Sequence, residues 1–176
     1  MTNRAMVAGL LLVLAWNGVA SEETPEAKEK RLKVVAAWKE TLAGLKNPKV
    51  EVFRVKPLDQ TMIADKDDET MVYGWPILER KTAAKAEDIA AITQALTDPD
   101  SYSNIGAKCF DPGLAFRFSA QGKSIAFVIC LECKWVYEMD GKTMETVAIS
   151  KVGDGALLKL YTQYFGEPRK ADAEKR

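Results

Sequence analysis

Two hydrophobic periods divide this chain. Leu32, Val35, Trp38, Leu42 and Leu45 recur at spacings of 3, 3, 4 and 3, the stripe of a helix with one buried face. Thr24 followed by Pro25 fits an N-cap with proline at the first helical position, and Pro48 lies beyond the end, so a helix is predicted over Pro25–Leu45. Trp38 on that stripe is read as a core anchor. From Leu114 the period falls to two. Leu114, Phe116 and Phe118 point one way, and Ala115, Arg117 and Ser119 the other. After Gln121-Gly122 the alternation resumes with Ile125, Phe127, Ile129 and Leu131. A two-residue turn there sets Phe118 opposite Ile125, Phe116 opposite Phe127 and Leu114 opposite Ile129. Every large apolar residue then shares one face, and a slip by one residue would scatter them.

The same parity continues through Cys133, Trp135 and Tyr137, so the strand is expected to run unbroken across Cys130-Leu131-Glu132-Cys133. Cys130, Glu132, Lys134, Val136 and Glu138 then occupy the other face. In such a strand the two cysteines project to opposite sides and can neither bridge nor share an ion. Only a bulge at Leu131-Glu132 would bring them together.

The remaining patterns are shorter. Val50–Val55 reads as a strand, and Thr70–Arg80 as a second whose Pro76 points to an edge or a bulge. Tyr73 and Trp75 in it form a possible surface contact, with burial of Trp75 against the sheet as the favoured alternative. Thr82 caps a helix over Ala83–Leu96, which Asp98-Pro99 ends. Asp100–Ala107 is a loop in which Tyr102 is a second surface-contact candidate. Asp140-Gly141 signals a turn, Thr143–Ser150 a strand, and Gly153-Asp154-Gly155 the start of a helix closed by Gly166. Asp65, Asp67, Asp68 and Glu69 alternate as in a calcium loop. Thr70 and Pro76 stand where its glycine and bidentate acid belong, so the segment is read as solvated. The order α-β-β-α-β-β-β-α defines an α+β fold, a mostly antiparallel sheet of about five strands with helices packed on one face.

Arg4, the apolar run Ala5–Trp16 and the small residues Gly18 and Ala20 form a secretory signal, with cleavage expected after Ala20. The run is shorter than the roughly 20 residues of a membrane span, which leaves an uncleaved anchor as the lesser alternative. Residues 21–166 then make one α+β domain, and 167–176 a charged tail expected to be disordered. The destination is the periplasm or the exterior, with no stable membrane anchor after cleavage. Lys plus Arg and Asp plus Glu each number 25, so nothing attracts nucleic acid. The chain has no histidine, which excludes Ser-His-Asp and Cys-His catalysis and His-ligated zinc, copper or haem. No cofactor is implied.

Cys109, Cys130 and Cys133 are the disulfide candidates in an exported chain. On the strand register Cys109 lies about 13 Å from Cys130, so a bridge needs a bend at Pro112-Gly113. Closing 109–130 or 109–133 is worth about 3.5 kcal/mol, and 130–133 about 2 kcal/mol. Buried free thiols, a redox pair, and a thiolate metal site with Asp111 as an oxygen ligand remain open beside the structural disulfide.

The series Tyr73-Gly74-Trp75-Pro76-Ile77-Leu78, Lys108–Gly113, Phe116-Arg117-Phe118 and Ile129-Cys130-Leu131-Glu132-Cys133 resembles a family of small uncharacterised exported bacterial proteins, over about Val50–Phe165. Its marks are a Cys-Phe-x-Pro segment followed by an Ile-Cys-x-x-Cys strand. The resemblance implies a shared fold and a shared cysteine cluster. It implies no activity, so no catalytic residue is carried over. The expectation is a non-enzymatic secreted or periplasmic domain that binds a protein partner or envelope component. The alternative is a thiol-based metal or redox site with Asp111, Arg117 and Glu132 beside the cysteines.

Overall fold

The computed structural model describes residues 23–56, 69–104, 106, 113–140 and 144–167. The expected signal peptide, most of the acidic loop, Cys109, Asp111 and nearly all of the tail lie outside the described residues.

Helix α1 spans Pro25–Gly44, with the Thr24 hydroxyl accepting from the Ala27 N–H. Val35, Trp38 and Leu42 of its stripe are buried, while Leu32 stays 37% exposed. Strand β1 (Lys49–Val55) follows. The expected single strand Thr70–Arg80 is instead a hairpin, β2 (Met71–Val72) and β3 (Trp75–Ala83). Tyr73 and Gly74 turn it at φ of 45° and 91°, the left-handed pair of a type I′ turn. Strand β3 runs on through Ala83, so helix α2 begins later than the apolar pattern predicts, at Ala86–Thr97. A 3-10 turn, Pro99–Ser101, leads into β4, Tyr102–Ser103, within the stretch expected to be loop. Then come β5 (Leu114–Ala120), β6 (Lys123–Cys130), β7 (Trp135–Met139), β8 (Met144–Ile149) and α3 (Lys151–Phe165).

The fold is α+β, with a larger sheet than expected. Among the described residues, eight strands pair in the order β2-β3-β1-β5-β6-β7-β8-β4, every pair antiparallel. Helix α2 carries the chain from β3, near one edge, to β4 at the opposite edge. The β5–β6 register is the one the alternation predicts, Phe118 to Ile125, Phe116 to Phe127 and Leu114 to Ile129. Gln121 and Gly122 turn it at φ of 53° and 74°.

One face of the sheet carries the helices. Val50, Val52, Leu114, Phe116, Phe118, Phe127, Ile129, Val136, Val147 and Ile149 pack there with Trp38, Leu42, Ile92, Leu96, Leu157 and Leu160. A smaller cluster of Phe53, Val55, Val72, Tyr73, Trp75, Ala115, Ala126 and Val128 occupies the opposite face. Tyr73 and Trp75 are therefore buried, at 9% and 3% exposure, and offer no aromatic surface patch. Tyr102 is also buried, and its hydroxyl donates to the Leu96 carbonyl at 2.9 Å.

The start of α3 is clipped to the segment before β4. Ser150 caps the helix, its hydroxyl accepting from the Val152 and Gly153 N–H groups, and its own N–H donates to the Ser101 carbonyl at 2.9 Å. A Cβ on Gly153 would stand 2.1 Å from that carbonyl oxygen, whereas one on Gly155 meets nothing within 4 Å. Gly153→Ala should therefore cost about 1–3 kcal/mol, as overpacking does, and Gly155→Ala should be neutral or stabilising by up to about 1 kcal/mol. Urea unfolding of the two variants checks this; equal midpoints would show that α3 does not seat on Ser101.

Candidate functional site

The Cys-x-x-Cys does not lie within a strand. Strand β6 ends at Cys130, residues 131–134 form a turn, and β7 begins at Trp135, paired with Cys130. This corrects the faces expected beyond Cys130. Val136 and Glu138 join the helix side with Ile129, while Cys130, Trp135 and Tyr137 share the opposite side with Val128.

The turn brings the two cysteines together. The Cys133 N–H donates to Cys130 Sγ at 3.0 Å, and both residues are fully buried. Lys134 completes the turn at a left-handed φ of 60°, a conformation that costs a residue with a Cβ about 1–2 kcal/mol. Two contacts hold it there. Its carbonyl accepts from the Ile149 N–H at 2.8 Å, and its ammonium pairs with the Asp154 carboxylate of α3 at 2.5 Å. Tyr137 lies on the thiol face, its hydroxyl pKa raised first by burial and then by the two cysteine sulfurs. Glu132 at the turn is exposed. No disulfide joins Cys130 to Cys133, and the described residues contain no disulfide. They also contain no cluster of three or more His, Cys, Asp or Glu that could hold a metal ion.

The flanks of Cys109 are both seated nearby. Gly106, three residues before it, packs against the Trp135 indole so closely that a Cβ would lie 2.5 Å from the ring. Gly113, four residues after it, donates to the Ile129 carbonyl at 3.1 Å.

Arg117, expected as a neighbour of the thiols, shares their face but works elsewhere. It pairs with Ala126, four residues and about 13 Å along β6 from Cys130. There it donates from Nη2 and Nε to the Glu51 carboxylate at 3.1 and 3.2 Å, with Lys49 Nζ at 3.0 Å and Arg80 Nη1 at 3.8 Å. The Arg80 and Arg117 guanidinium groups cover the Phe53 ring, 5.4 and 4.9 Å from its centroid. Burial opposes the charge on Glu51, but the Lys49 and Arg117 contacts outweigh it and hold the carboxyl below its ordinary range. This cluster escapes a linear reading because Glu51 and Arg117 meet only through the β1–β5 pairing.

A second buried carboxyl was not foreseen. Glu138 faces the helices at 7% exposure. Burial, then the charges of Asp140 and Glu145, push it up to about 7, and the nearby Trp38 indole acts weakly the other way. The parity flip at the Cys-x-x-Cys turn is what places it inside.

No family model matches this chain, and no curated protein matches it. A solved structure from Clostridium perfringens, provisionally described as a lipoprotein, superposes with a TM-score of 0.40 at 13% identity, covering 76% of this chain and 93% of the other. A likeness at that level defines neither family nor function. No helix among the described residues is long and apolar enough to cross a membrane.

Proposed function

We propose that the chain is an exported, non-enzymatic domain of the periplasm or exterior, and that its binding site is the thiol pair on the Cys130–Cys133 turn. One observation carries the reading: a buried backbone N–H is directed at Cys130 Sγ by a turn that places a lysine in the left-handed region. Sulfur is a weak acceptor as a thiol and a stronger one as a thiolate. The fold thus commits a donor to a sulfur, in a turn anchored to both β8 and α3, which a merely space-filling cysteine does not require. The signal-like pattern of Arg4, the apolar run Ala5–Trp16 and the small residues Gly18 and Ala20 supports the location.

Intact mass of the exported protein, alkylated natively and after denaturation, with and without reduction, tests this. Cys130 and Cys133 should share one chemical state, shielded together or oxidised together, and Cys133→Ser should change the reactivity of Cys130. Two thiols that alkylate independently, each at the rate of an ordinary buried cysteine, would remove the reading.

The seating of Gly106 and Gly113 beside Trp135 and Ile129 favours a second reading, a structural disulfide from Cys109 to one cysteine of the turn. It leaves a single alkylatable thiol before reduction and three after it.

A further inference from the structure

We infer that Lys49, Arg80 and Arg117, gathered on the helix-free face of the sheet, form a second site that binds a soluble phosphate compound by its phosphate group. The site is independent of the thiol pair, since the Arg117 position lies about 13 Å along β6 from Cys130.

Strand pairing assembles the site. Glu51 of β1 lies between Thr82 of β3 and Arg117 of β5, Phe53 is opposite Arg80, and Lys49 is opposite Ser119, itself opposite Ser124 of β6. Directly paired residues share a face. On this face the apolar cluster contains no helical residue among the described ones. Lys49 Nζ and Arg80 Nη1 close on the same Glu51 oxygen, Oε1, at 3.0 and 3.8 Å, while Arg117 Nη2 takes Oε2 at 3.1 Å. The Arg80 separation exceeds hydrogen-bond length, so charge alone draws its guanidinium to that spot. Both guanidinium groups rest on the Phe53 ring, which positions them before any ligand arrives. The Ser119 and Ser124 hydroxyls, 3.4 Å apart, and the exposed Thr82 add neutral donors beside the cations.

Charge selects the ligand. Burial opposes ionisation of Glu51, but the Lys49 and Arg117 contacts keep it a carboxylate. It offsets one of the three positive charges. No other described residue at the paired positions of β1, β3, β5 and β6 on this face is acidic, because Glu79 pairs with Arg54 on the helix side. A surplus of two positive charges is left, and like charges held together repel. A dianion removes that repulsion, where a carboxylate would leave one charge over. A phosphate monoester or inorganic phosphate carries about −1.5 to −2 at neutral pH, and its oxygens suit an arginine fork and a lysine ammonium. The size of the surplus also sets the source. Anionic bilayers are held by clusters of about 4–8 Lys or Arg, whereas three cations and one acid match a single soluble phosphate group.

The test is calorimetric titration of the full chain with inorganic phosphate at pH 8 and constant ionic strength. The expected result is saturable binding at one site. Lys49→Gln and Arg80→Gln should each weaken it at least about 10-fold, the worth of one charge-assisted hydrogen bond. Lys81→Gln, on the helix side of the same strand opposite Val52, should bind as the parent does. Affinity should also fall between pH 8 and pH 5, as phosphate loses its second charge near pH 6. Should Arg80→Gln fail to fold, Lys49→Gln decides the matter, because that side chain is 60% exposed. A parent chain that binds no phosphate would overturn the inference. So would binding unchanged in the Lys49→Gln, Arg80→Gln double variant. Capture by phosphatidylcholine vesicles containing phosphatidic acid, without saturable binding of inorganic phosphate, would overturn it too and assign the patch to a membrane surface. None of these results depends on the state of Cys130 and Cys133, so the thiol-site reading stands or falls separately.

Discussion

Replacing Trp38 with alanine should lower the unfolding free energy by about 3–5 kcal/mol, the range for deleting a buried aromatic side chain. Trp38 is 2% exposed and lies edge-on to two rings, Tyr102 at 5.5 Å and Phe127 at 5.3 Å between centroids. Those rings belong to the edge strand β4 and the central strand β6, so one side chain of α1 ties the helix layer to both. Phe127 is in turn edge-on to Phe118 at 6.0 Å, which extends the contact into the β5–β6 hairpin. Trp38→Phe preserves a ring and should lose roughly half as much. Urea denaturation of the two variants measures both. A loss below about 1 kcal/mol for the alanine variant would mean that α1 is not seated on this face.

The second large effect is a dependence on pH centred on Glu138. Its folded pKa, about 7, lies above the ordinary 4.5, so the folded protein holds this proton more tightly than the unfolded chain. The stability that follows is fully present below about pH 4.5 and is lost as pH rises to about 7. The shift corresponds to a loss of about 3 kcal/mol at most across that window. Glu138→Gln keeps the side chain neutral at every pH. It should match the parent near pH 4 and exceed it by about 2–3 kcal/mol at pH 8, read from chemical denaturation at both values. A variant that gains nothing at pH 8 would show that the carboxyl reaches water. Glu51 works in the opposite sense. Its lowered pKa contributes stability above the ordinary carboxylate range that is lost as pH falls through the folded value. Stability is therefore expected to peak at mildly acidic pH, between the two.

Local signals were sufficient wherever a period and its punctuation agree. Helix α1 is legible because its stripe, cap and proline all fall in register. The β5–β6 hairpin is legible because Gln121-Gly122 marks a turn and only one register collects the apolar residues. The end of helix α3 is legible from Gly166, whereas the helix starts at Lys151, two residues before the expected Gly153-Asp154-Gly155 opening, because Ser150 caps it. Strand β4 is not legible, since two residues carry no period and pair with β8 across more than forty positions.

Two turns were hidden, and they account for most of what the sequence could not show. In each the left-handed position belongs to a residue that does not advertise it, Tyr73 before Gly74 and Lys134 after Cys133. An antiparallel turn of even length reverses which positions share a face, so period two continues through residues 131–134 while the sides exchange. The sequence determined which residues are apolar, where the cysteines lie along the chain, and the strand that delivers Cys130. Only the tertiary structure decided that the chain reverses there, because what stabilises Lys134 in that conformation is an N–H from β8 and a carboxylate from α3. Those contacts, remote in sequence, bring Cys133 back onto Cys130 and turn Glu138 into the core.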